Sequence, residues 1–128
     1  MTIDDYFQSI DSFLAGIAIA YARQVDFDKR SPDTGFLRGQ VYFLDGSVLH
    51  FREFIAAEQE IERYKYAYHY QSPDGSLIFR YDRTPHFPLL DNFPHHKHIG
   101  EGQNVIPADG PDLFEVLEEI RQILIAKG

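Results

Sequence analysis

Apolar residues recur at three- and four-residue intervals near both ends of the chain, and this spacing predicts a helix at each end. The first stripe consists of Ile3, Phe7, Ile10, Leu14 and Ile17. Thr2 and Asp5 form the sequence of a capping box at its start, and Gly16 marks its predicted end. The second helix is predicted to open at Pro111, beside Asp112. Its stripe consists of Leu113, Val116, Leu117, Ile120, Ile123 and Leu124.

Between the helices, apolar and polar residues alternate with a period of two, which is typical of strands with one buried face. The alternation predicts five strands, at residues 17–27, 36–44, 47–55, 61–71 and 76–83. Residues 84–110 hold four of the seven Pro and predict a structured loop or a short edge strand near 97–99. The predicted fold class is α+β. Residues 1–128 form a single domain, a five-strand antiparallel meander sheet with the N-terminal and C-terminal helices packed on one face.

Two turns set the predicted register of this sheet. A three-residue loop with Gly46 in the left-handed region keeps the apolar side chains of the second and third strands on one face. A four-residue loop at 72–75 places Tyr70 opposite Leu77. The apolar face then carries a ladder of four tyrosines, Tyr64, Tyr66, Tyr68 and Tyr70. We expect the ladder to pack against a helix, and a platform for stacking bases is the alternative.

The opposite face of the predicted sheet is polar and rich in cations. Its members are Arg38, Gln40, His50, Arg52, Arg63, Lys65, His69 and Arg80. Such a concentration of positive charge attracts phosphate groups, and an ordinary solvated face is the alternative. Glu53 breaks the pattern, because it falls on the apolar face. It is expected to reach water at a strand end, to pair with Arg23 or another cation, or to act as a catalytic acid with a raised pKa.

The densest chemical pattern is the run of residues 94–98, Pro-His-His-Lys-His. Two imidazoles beside cations suit metal-free RNA cleavage, since one can remove the ribose 2′-hydroxyl proton while the other protonates the leaving 5′-oxygen. The cations then stabilise the charged phosphorane. The catalytic candidates are His69, His96 and His98, and the phosphate-binding candidates are Arg52, Lys65, Arg80 and Lys97.

The same histidines allow two other interpretations. His86, His96 and His98 could hold zinc or nickel, or the loop histidines could simply form hydrogen bonds and face solvent. Lys97 opposes a bound cation, and no nearby carboxylate has the spacing of a metal ligand. We therefore predict no metal and no other cofactor.

Composition narrows the class of protein. The 128 residues have a formal charge of −8 and contain no Cys, which favours a cytoplasmic protein without disulfides or thiolate chemistry. The longest apolar run, 13–22, has about half the length that a membrane span needs, and Asp4 and Asp5 stand where a signal peptide would be basic. Residues 36–100 hold eight acids, seven bases and all six His, so a site for a polyanion is expected there.

Five runs along the chain carry a family resemblance. They are GSVLHFREF (46–54), ERYKYAYHYQSPDGSLIFRYD (62–82), PHF (85–87), FPHHKHIGEG (93–102) and PDLFEVLEEI (111–120). Together they resemble the TumE family of bacterial toxin–antitoxin proteins, strongly from residue 36 to 120 and weakly before it. Arg83 and Phe87 depart from the Asn and His that related sequences often have there.

The resemblance implies a growth-inhibiting toxin of a type II toxin–antitoxin system, encoded beside a helix-turn-helix antitoxin that neutralises it. Together with the histidines and cations, it predicts a metal-independent ribonuclease. A metal- or small-ligand-binding module and a non-catalytic interaction protein are the alternatives. A ribonuclease requires Arg52, Lys65, His69 or Arg80 to come within about 10 Å of residues 96–98, close enough to share a phosphate.

Overall fold

In the part of the chain that the structure describes, seven antiparallel strands form one sheet in sequential order, with one helix before the first strand and one after the last. The computed structural model describes residues 1–83, 95–100, 105–107 and 110–127, with the backbone alone at 95, 96 and 105–107. The elements are α1 (Ile3–Ala15), β1 (Ala20–Ser31), β2 (Thr34–Phe43), β3 (Val48–Ala56), β4 (Glu62–Gln71), β5 (Leu77–Arg83), β6 (His95–Ile99), β7 (Val105–Pro107) and α2 (Leu113–Lys127).

The α+β class and the meander order are confirmed, and the strand count is corrected from five to seven within the described residues. The two further strands, β6 and β7, arise from the segment predicted as a loop or short edge strand. Its His-rich run extends the sheet because β6 pairs with β5 along five residues. His86 lies outside the described residues.

Both helices begin with reciprocal caps. The Thr2 hydroxyl accepts a hydrogen bond from the Asp5 amide at 3.0 Å, and the Asp5 carboxylate accepts one from the Thr2 amide at 3.2 Å, which confirms the predicted capping box. Asp112 and Glu115 form the same arrangement before α2, so this helix begins after Asp112 rather than at Pro111. Within the described residues, no helix is long and apolar enough to cross a membrane.

The helices bury one face of the sheet, as predicted. The core unites α1, α2 and the strands β2 to β5 in one hydrophobic cluster. Its fully buried large side chains include Ile3, Ile10, Leu37, Phe43, Leu49, Ile55, Tyr66, Tyr68, Tyr70, Leu113 and Ile120. Three of the four ladder tyrosines therefore pack under the helices, and the prediction that they are core rather than a base-stacking platform is confirmed.

The two hairpins differ in how well the sequence predicted their register. The β2–β3 hairpin has the predicted pairing, with Val41 opposite Leu49 and Gly46 at a φ of 90°. In the β4–β5 hairpin, Tyr70 lies opposite Phe79 instead of Leu77. Gln71 already lies opposite Leu77 rather than Ser76, and the irregularity between Tyr70 and Gln71 adds the second residue of the shift. A shift of two residues keeps every side chain on its face but changes its cross-strand neighbours.

A β-bulge in β4 moves one predicted surface residue to the other face. Phe54 lies opposite Lys65 and Ile55 lies opposite Arg63, so Tyr64 is an extra residue in the pairing. Because one extra residue reverses the alternation of side chains, Arg63 lies on the helix-covered face rather than among the surface cations. Tyr64 leaves the ladder and is 46% exposed.

Candidate functional site

Polar residues form two parallel rows across the open face of the sheet. Successive register partners from β1 to β6 define the histidine row: Gln24, Gln40, His50, His69, Arg80 and His98. The next set of partners defines the arginine row: Asp26, Arg38, Arg52, Ala67, Asp82 and His96. Directly opposed residues on antiparallel strands share a face, so the register alone places these residues side by side.

His69, Arg80 and His98 occupy three adjacent strands in the histidine row. An Arg80 Nη1 nitrogen lies 3.4 Å from His69 Nδ1, and since guanidinium groups only donate, Nδ1 accepts in this contact. His98 is the direct partner of Arg80 on β6. Neighbouring strands are separated by about 4.8 Å, so Arg80 and His69 both satisfy the 10 Å condition for sharing a phosphate with residues 96–98.

Asp82 positions the side chains on either side of it. Its Oδ2 atom accepts a hydrogen bond from Arg80 Nε at 3.0 Å and lies 3.7 Å from His98 Nε2. The Asp82 side chain is only 6% exposed, so the ion pair with Arg80 is shielded from water. A carboxylate near Nε2 favours the His98 tautomer whose basic nitrogen is Nδ1.

A groove of about 460 Å³ runs over these two rows. Its lining comprises Gln24, Asp26, Arg38, Gly39, Gln40, His50, Phe51, Arg52, Ala67, His69 and Arg80. Ala67 deepens the groove because its side chain is small. Gly39 is the register partner of the core residue Phe51, so a side chain there would point to the helix-covered face. At Gly39 a Cβ atom would lie 2.8 Å from the Phe51 ring and 2.5 Å from a Gln24 carbonyl oxygen, so a larger residue does not fit. The groove has room for a phosphate and part of a nucleotide.

The structure brings together some of the predicted site residues and separates others. His69, Arg80 and His98 are neighbours, and Arg52 lies in the adjacent row. Lys65 lies beyond it along β4, opposite Phe54. His96 is the register partner of Asp82, and its side chain is not among those described.

Lys97 does not join the other phosphate-binding candidates. Its Nζ atom donates to Glu119 of α2 at 2.9 Å and lies 4.7 Å from the centre of the Tyr81 ring. This contact places the side chain on the helix side of the sheet, because residues alternate in direction along β6. Burial lowers the pKa of Lys97, but hydrogen bonds to Tyr81 and Glu119 outweigh it and the net shift is upward. Lys97 connects β6 to α2.

Two residues of the site were not among the predicted catalytic set. His50 was placed on the polar face but given no role, and its ring centre lies 6.0 Å from that of His69. The predicted register placed Asp82 opposite Lys65, and the two-residue shift instead places it opposite Ala67. Its contacts with Arg80 and His98 come from its own strand and from β6. Alternation along β5 indicated the face of Asp82 and its place beside Arg80, whereas its proximity to His98 depended on the pairing of β6 with β5, whose register was not predicted.

Glu53 belongs to a separate buried network beneath the sheet. It is fully buried and accepts hydrogen bonds from the Tyr6 and Tyr68 hydroxyls, the latter at 2.6 Å. Arg63 donates to the same Tyr68 oxygen at 2.8 Å. Burial raises the pKa of Glu53, although the two tyrosines and Arg63 oppose the shift. Of the predicted alternatives, access to water is wrong because Glu53 is fully buried, and Arg23 is wrong because it pairs with Asp11 at 3.6 Å. Arg63 is a nearby cation, but its contact with Glu53 runs through Tyr68, and a role as catalytic acid stays a prediction.

Within the described side chains, no three His, Asp or Glu residues converge as metal ligands. His86 and the side chain of His96 lie outside that set, so the predicted absence of a metal stays a prediction.

The fold and the site define a class of protein: an α+β domain that covers one sheet face with two helices and presents a histidine- and arginine-lined groove on the other. The chain belongs to the TumE toxin family, described as Toxin TumE, which matches residues 5–124. No curated protein and no solved structure gives a significant match.

Proposed function

We propose that this toxin acts on RNA as a metal-independent ribonuclease, with its reaction centre at His69, Arg80 and His98. The observation that carries the proposal is the position of Arg80 between His69 and His98 on adjacent strands, with His69 and Arg80 in the lining of the groove and His98 on the strand beside it. A cation flanked by two imidazoles has the components required for RNA cleavage without a metal.

In the proposed reaction, His98 is the general base and the His69 imidazolium is the general acid. Arg80 Nη1 turns from His69 Nδ1 to the phosphate when RNA binds, and Nδ1 then carries a proton. His98 Nδ1 removes the proton of a ribose 2′-hydroxyl, and the 2′-oxygen attacks the adjacent phosphorus. The bond from phosphorus to the 5′-oxygen breaks as His69 gives that oxygen a proton, which leaves a 2′,3′-cyclic phosphate and a 5′-hydroxyl end. Asp82 beside His98 Nε2 supports this assignment, because a carboxylate stabilises the imidazolium that forms when His98 takes the proton.

Arg80 supplies the positive charge at the phosphate. Its guanidinium group is held by Asp82 through Nε, so the two terminal nitrogens are the donors that can meet phosphate oxygens. Arg52 and Arg38 in the adjacent row provide further positive charge for neighbouring phosphates. Local charge of this kind suffices for a polyanion although the whole chain is acidic.

The family supports a toxin, and we propose that it belongs to a type II system with a helix-turn-helix antitoxin protein as its partner in the bacterial cytoplasm. An antitoxin that covers the open face of the sheet would close the groove to RNA. The proposed interaction predicts protection of this face in the complex.

The test is cleavage of RNA and of its 2′-deoxy analogue by the purified protein in the presence of a chelator. We expect cleavage of RNA alone, with a cyclic phosphate product. His69→Ala and His98→Ala should each lower the rate by about 10²- to 10⁴-fold and relieve growth inhibition, whereas Arg121→Ala on the exposed surface of α2 serves as the matched control. Cleavage of both substrates would exclude 2′-hydroxyl chemistry.

Two other results would favour the alternative functions. Dependence on added zinc or nickel would favour the metal alternative, and unchanged toxicity of both histidine variants would favour a non-catalytic interaction protein.

A further inference from the structure

The open face carries an aromatic cluster beyond the arginine row. Phe36 and Phe54 are direct register partners on β2 and β3, and their ring centres are 4.6 Å apart. The bulge residue Tyr64 brings its ring to 6.1 Å from that of Phe54. We define Phe36, Phe54 and Tyr64 as the aromatic cluster. Aromatic side chains normally belong in the core of such a sheet, so their place on the solvent side needs an explanation.

Two cations lie over the rings of this cluster. The Arg30 guanidinium is 5.3 Å from the centre of the Phe36 ring and 6.0 Å from that of Phe54. Lys65 Nζ lies 5.4 Å from the centre of the Phe54 ring, approaching from β4. Flat aromatic surfaces between positive charges are the combination by which proteins bind single-stranded nucleic acid, the rings stacking on bases and the cations meeting phosphates.

The cluster is aligned with the proposed reaction centre. Along β3, His50, Arg52 and Phe54 are alternate residues on the same face, so they follow one another at about 7 Å intervals. Arg52 therefore lies between the histidine row and the cluster. An RNA strand placed with its reacting phosphate near His69 and Arg80 could run along β3 and β4, past Arg52, and reach the cluster a few nucleotides away.

The charges favour the β3–β4 side of this path. On the β1–β2 side, Asp28 pairs with Arg30 at 3.2 Å and Asp26 pairs with Arg38 at 3.8 Å, which neutralises those cations in part. Arg52 and Lys65 have no carboxylate within 4.0 Å among the residues that the structure describes. On the β3–β4 side, where the phosphates would pass, these two positive charges are therefore not offset by an adjacent described carboxylate.

We propose that the aromatic cluster is a base-stacking subsite for single-stranded RNA, a few nucleotides from the site of cleavage. The inference rests on the proposed function for the direction of the strand, but it concerns binding rather than chemistry. The substrate it selects is single-stranded, because the bases of a duplex are already stacked on each other and their faces cannot reach a protein ring. Stacking tolerates every base, so the subsite gives affinity with little sequence preference.

Equilibrium binding in a His98→Ala background tests the subsite without cleavage. The probe is a short fluorescein-labelled oligoadenylate, compared with an abasic oligonucleotide of equal length and with duplex RNA. Phe54→Leu removes the ring and keeps apolar volume, and Phe54→Tyr keeps the ring as the matched control. We expect Phe54→Leu to raise the Kd for oligoadenylate by about 5- to 100-fold, the effect of one stacked base, and to leave abasic binding unchanged. Phe54→Tyr should stay within about twofold of the parent.

Three results would contradict the proposal that the aromatic cluster is a base-stacking subsite. They are equal affinity of the parent for oligoadenylate and abasic strand, equal effects of Phe54→Leu and Phe54→Tyr, and tighter binding of duplex RNA. Urea unfolding of each variant checks the fold, and Phe36→Leu replaces Phe54→Leu if the latter is unfolded. Base-dependent binding by a protein that cleaves no RNA would refute the ribonuclease alone, whereas cleavage with base-independent binding would refute the subsite alone.

Discussion

Arg80 and His98 face each other directly across β5 and β6, and one carboxylate oxygen of Asp82 contacts both side chains. The proposed base, its neighbouring cation and the residue that positions them are therefore supplied by the pairing of two strands. His69 joins them from the next strand, β4. The reaction centre requires β6 to be a full member of the sheet, which gives a structural reason for the His-rich run to be a strand.

The geometry of Arg80 predicts that charge alone is insufficient at this position. Arg80→Ala should lower kcat/KM for RNA by about 10²-fold or more, because it removes the donors to the phosphate and the partner of Asp82. Arg80→Lys should recover only part of the loss, since an ammonium group cannot bind Asp82 and a phosphate as a planar fork does. Single-turnover kinetics on a defined RNA measures both. Equal activity of the Lys variant and the parent would contradict the proposed role.

Arg63 is predicted to be important for stability rather than for phosphate binding. It donates to Tyr68 and also to the carbonyl oxygens of Pro111 and Gly110, which precede α2. Arg63→Met should lower the free energy of unfolding by about 3 kcal/mol, because the buried Glu53 loses its nearby cation and two carbonyls lose a donor. Urea unfolding gives the value. Arg38→Met, on the exposed face, is the control and should change stability by less than about 0.5 kcal/mol.

Glu53 predicts a specific dependence of stability on pH. Burial raises its pKa in the folded protein above the ordinary value of 4.5, so the folded state holds this proton more tightly than the unfolded state. The contribution of Glu53 to stability is therefore complete below about pH 4.5 and is lost as the pH rises through the raised folded-state pKa.

Gln at position 53 carries no titrating group, so the comparison isolates this effect. The free energy of unfolding of Glu53→Gln, relative to the parent, should be higher at about pH 8 than at about pH 4.5. Urea unfolding at the two pH values measures the difference. A relative stability that is constant or falls with pH would show that Glu53 is ionised at no cost in the folded protein.

Lys97 is expected to contribute to stability and not to catalysis. Its ammonium group pairs with Glu119 at 2.9 Å and is partly shielded, with 17% of the side chain exposed. Lys97→Met should lower stability by about 1 kcal/mol or less and leave kcat for RNA cleavage unchanged. A double-mutant cycle with Glu119→Gln measures the coupling between the pair. If Lys97→Met weakened RNA binding and Glu119→Gln did not, Lys97 would be a phosphate-binding residue after all.

The sequence was sufficient to predict both helices and the first five strands, and to assign most of their residues to the two faces of the sheet. The capping box of α1, the meander order and the β2–β3 register follow from local patterns, namely a cap, alternating polarity and a glycine suited to a left-handed turn. These patterns depend on residues close in the chain, which is why they could be predicted before any tertiary contact was known.

The features of the site that the sequence did not predict depend on how the strands pair with each other. The pairing of β6 with β5 brings His98 to Arg80 and Asp82. The irregularity after Tyr70 helps to place Asp82 opposite Ala67 instead of Lys65, and the bulge at Tyr64 determines the face of Arg63. Neither irregularity has a Gly or Pro at the extra residue to reveal it in the sequence. The candidate site was therefore predicted as a set of residue types on one face, and its internal neighbours became known only from the register.

The bulge at Tyr64 also makes β4 sensitive to the number of its residues. Side chains alternate between the two faces of a sheet, so one extra residue reverses the faces of the residues beyond it. Arg63 therefore points inward to the Glu53 network, and Tyr64 stays outside beside Phe54. An insertion or deletion of one residue at this point would change the interior and the open face of the sheet together. In the course of sequence divergence, length changes are therefore expected to be tolerated in the turn at 72–75 and to be selected against between 62 and 65.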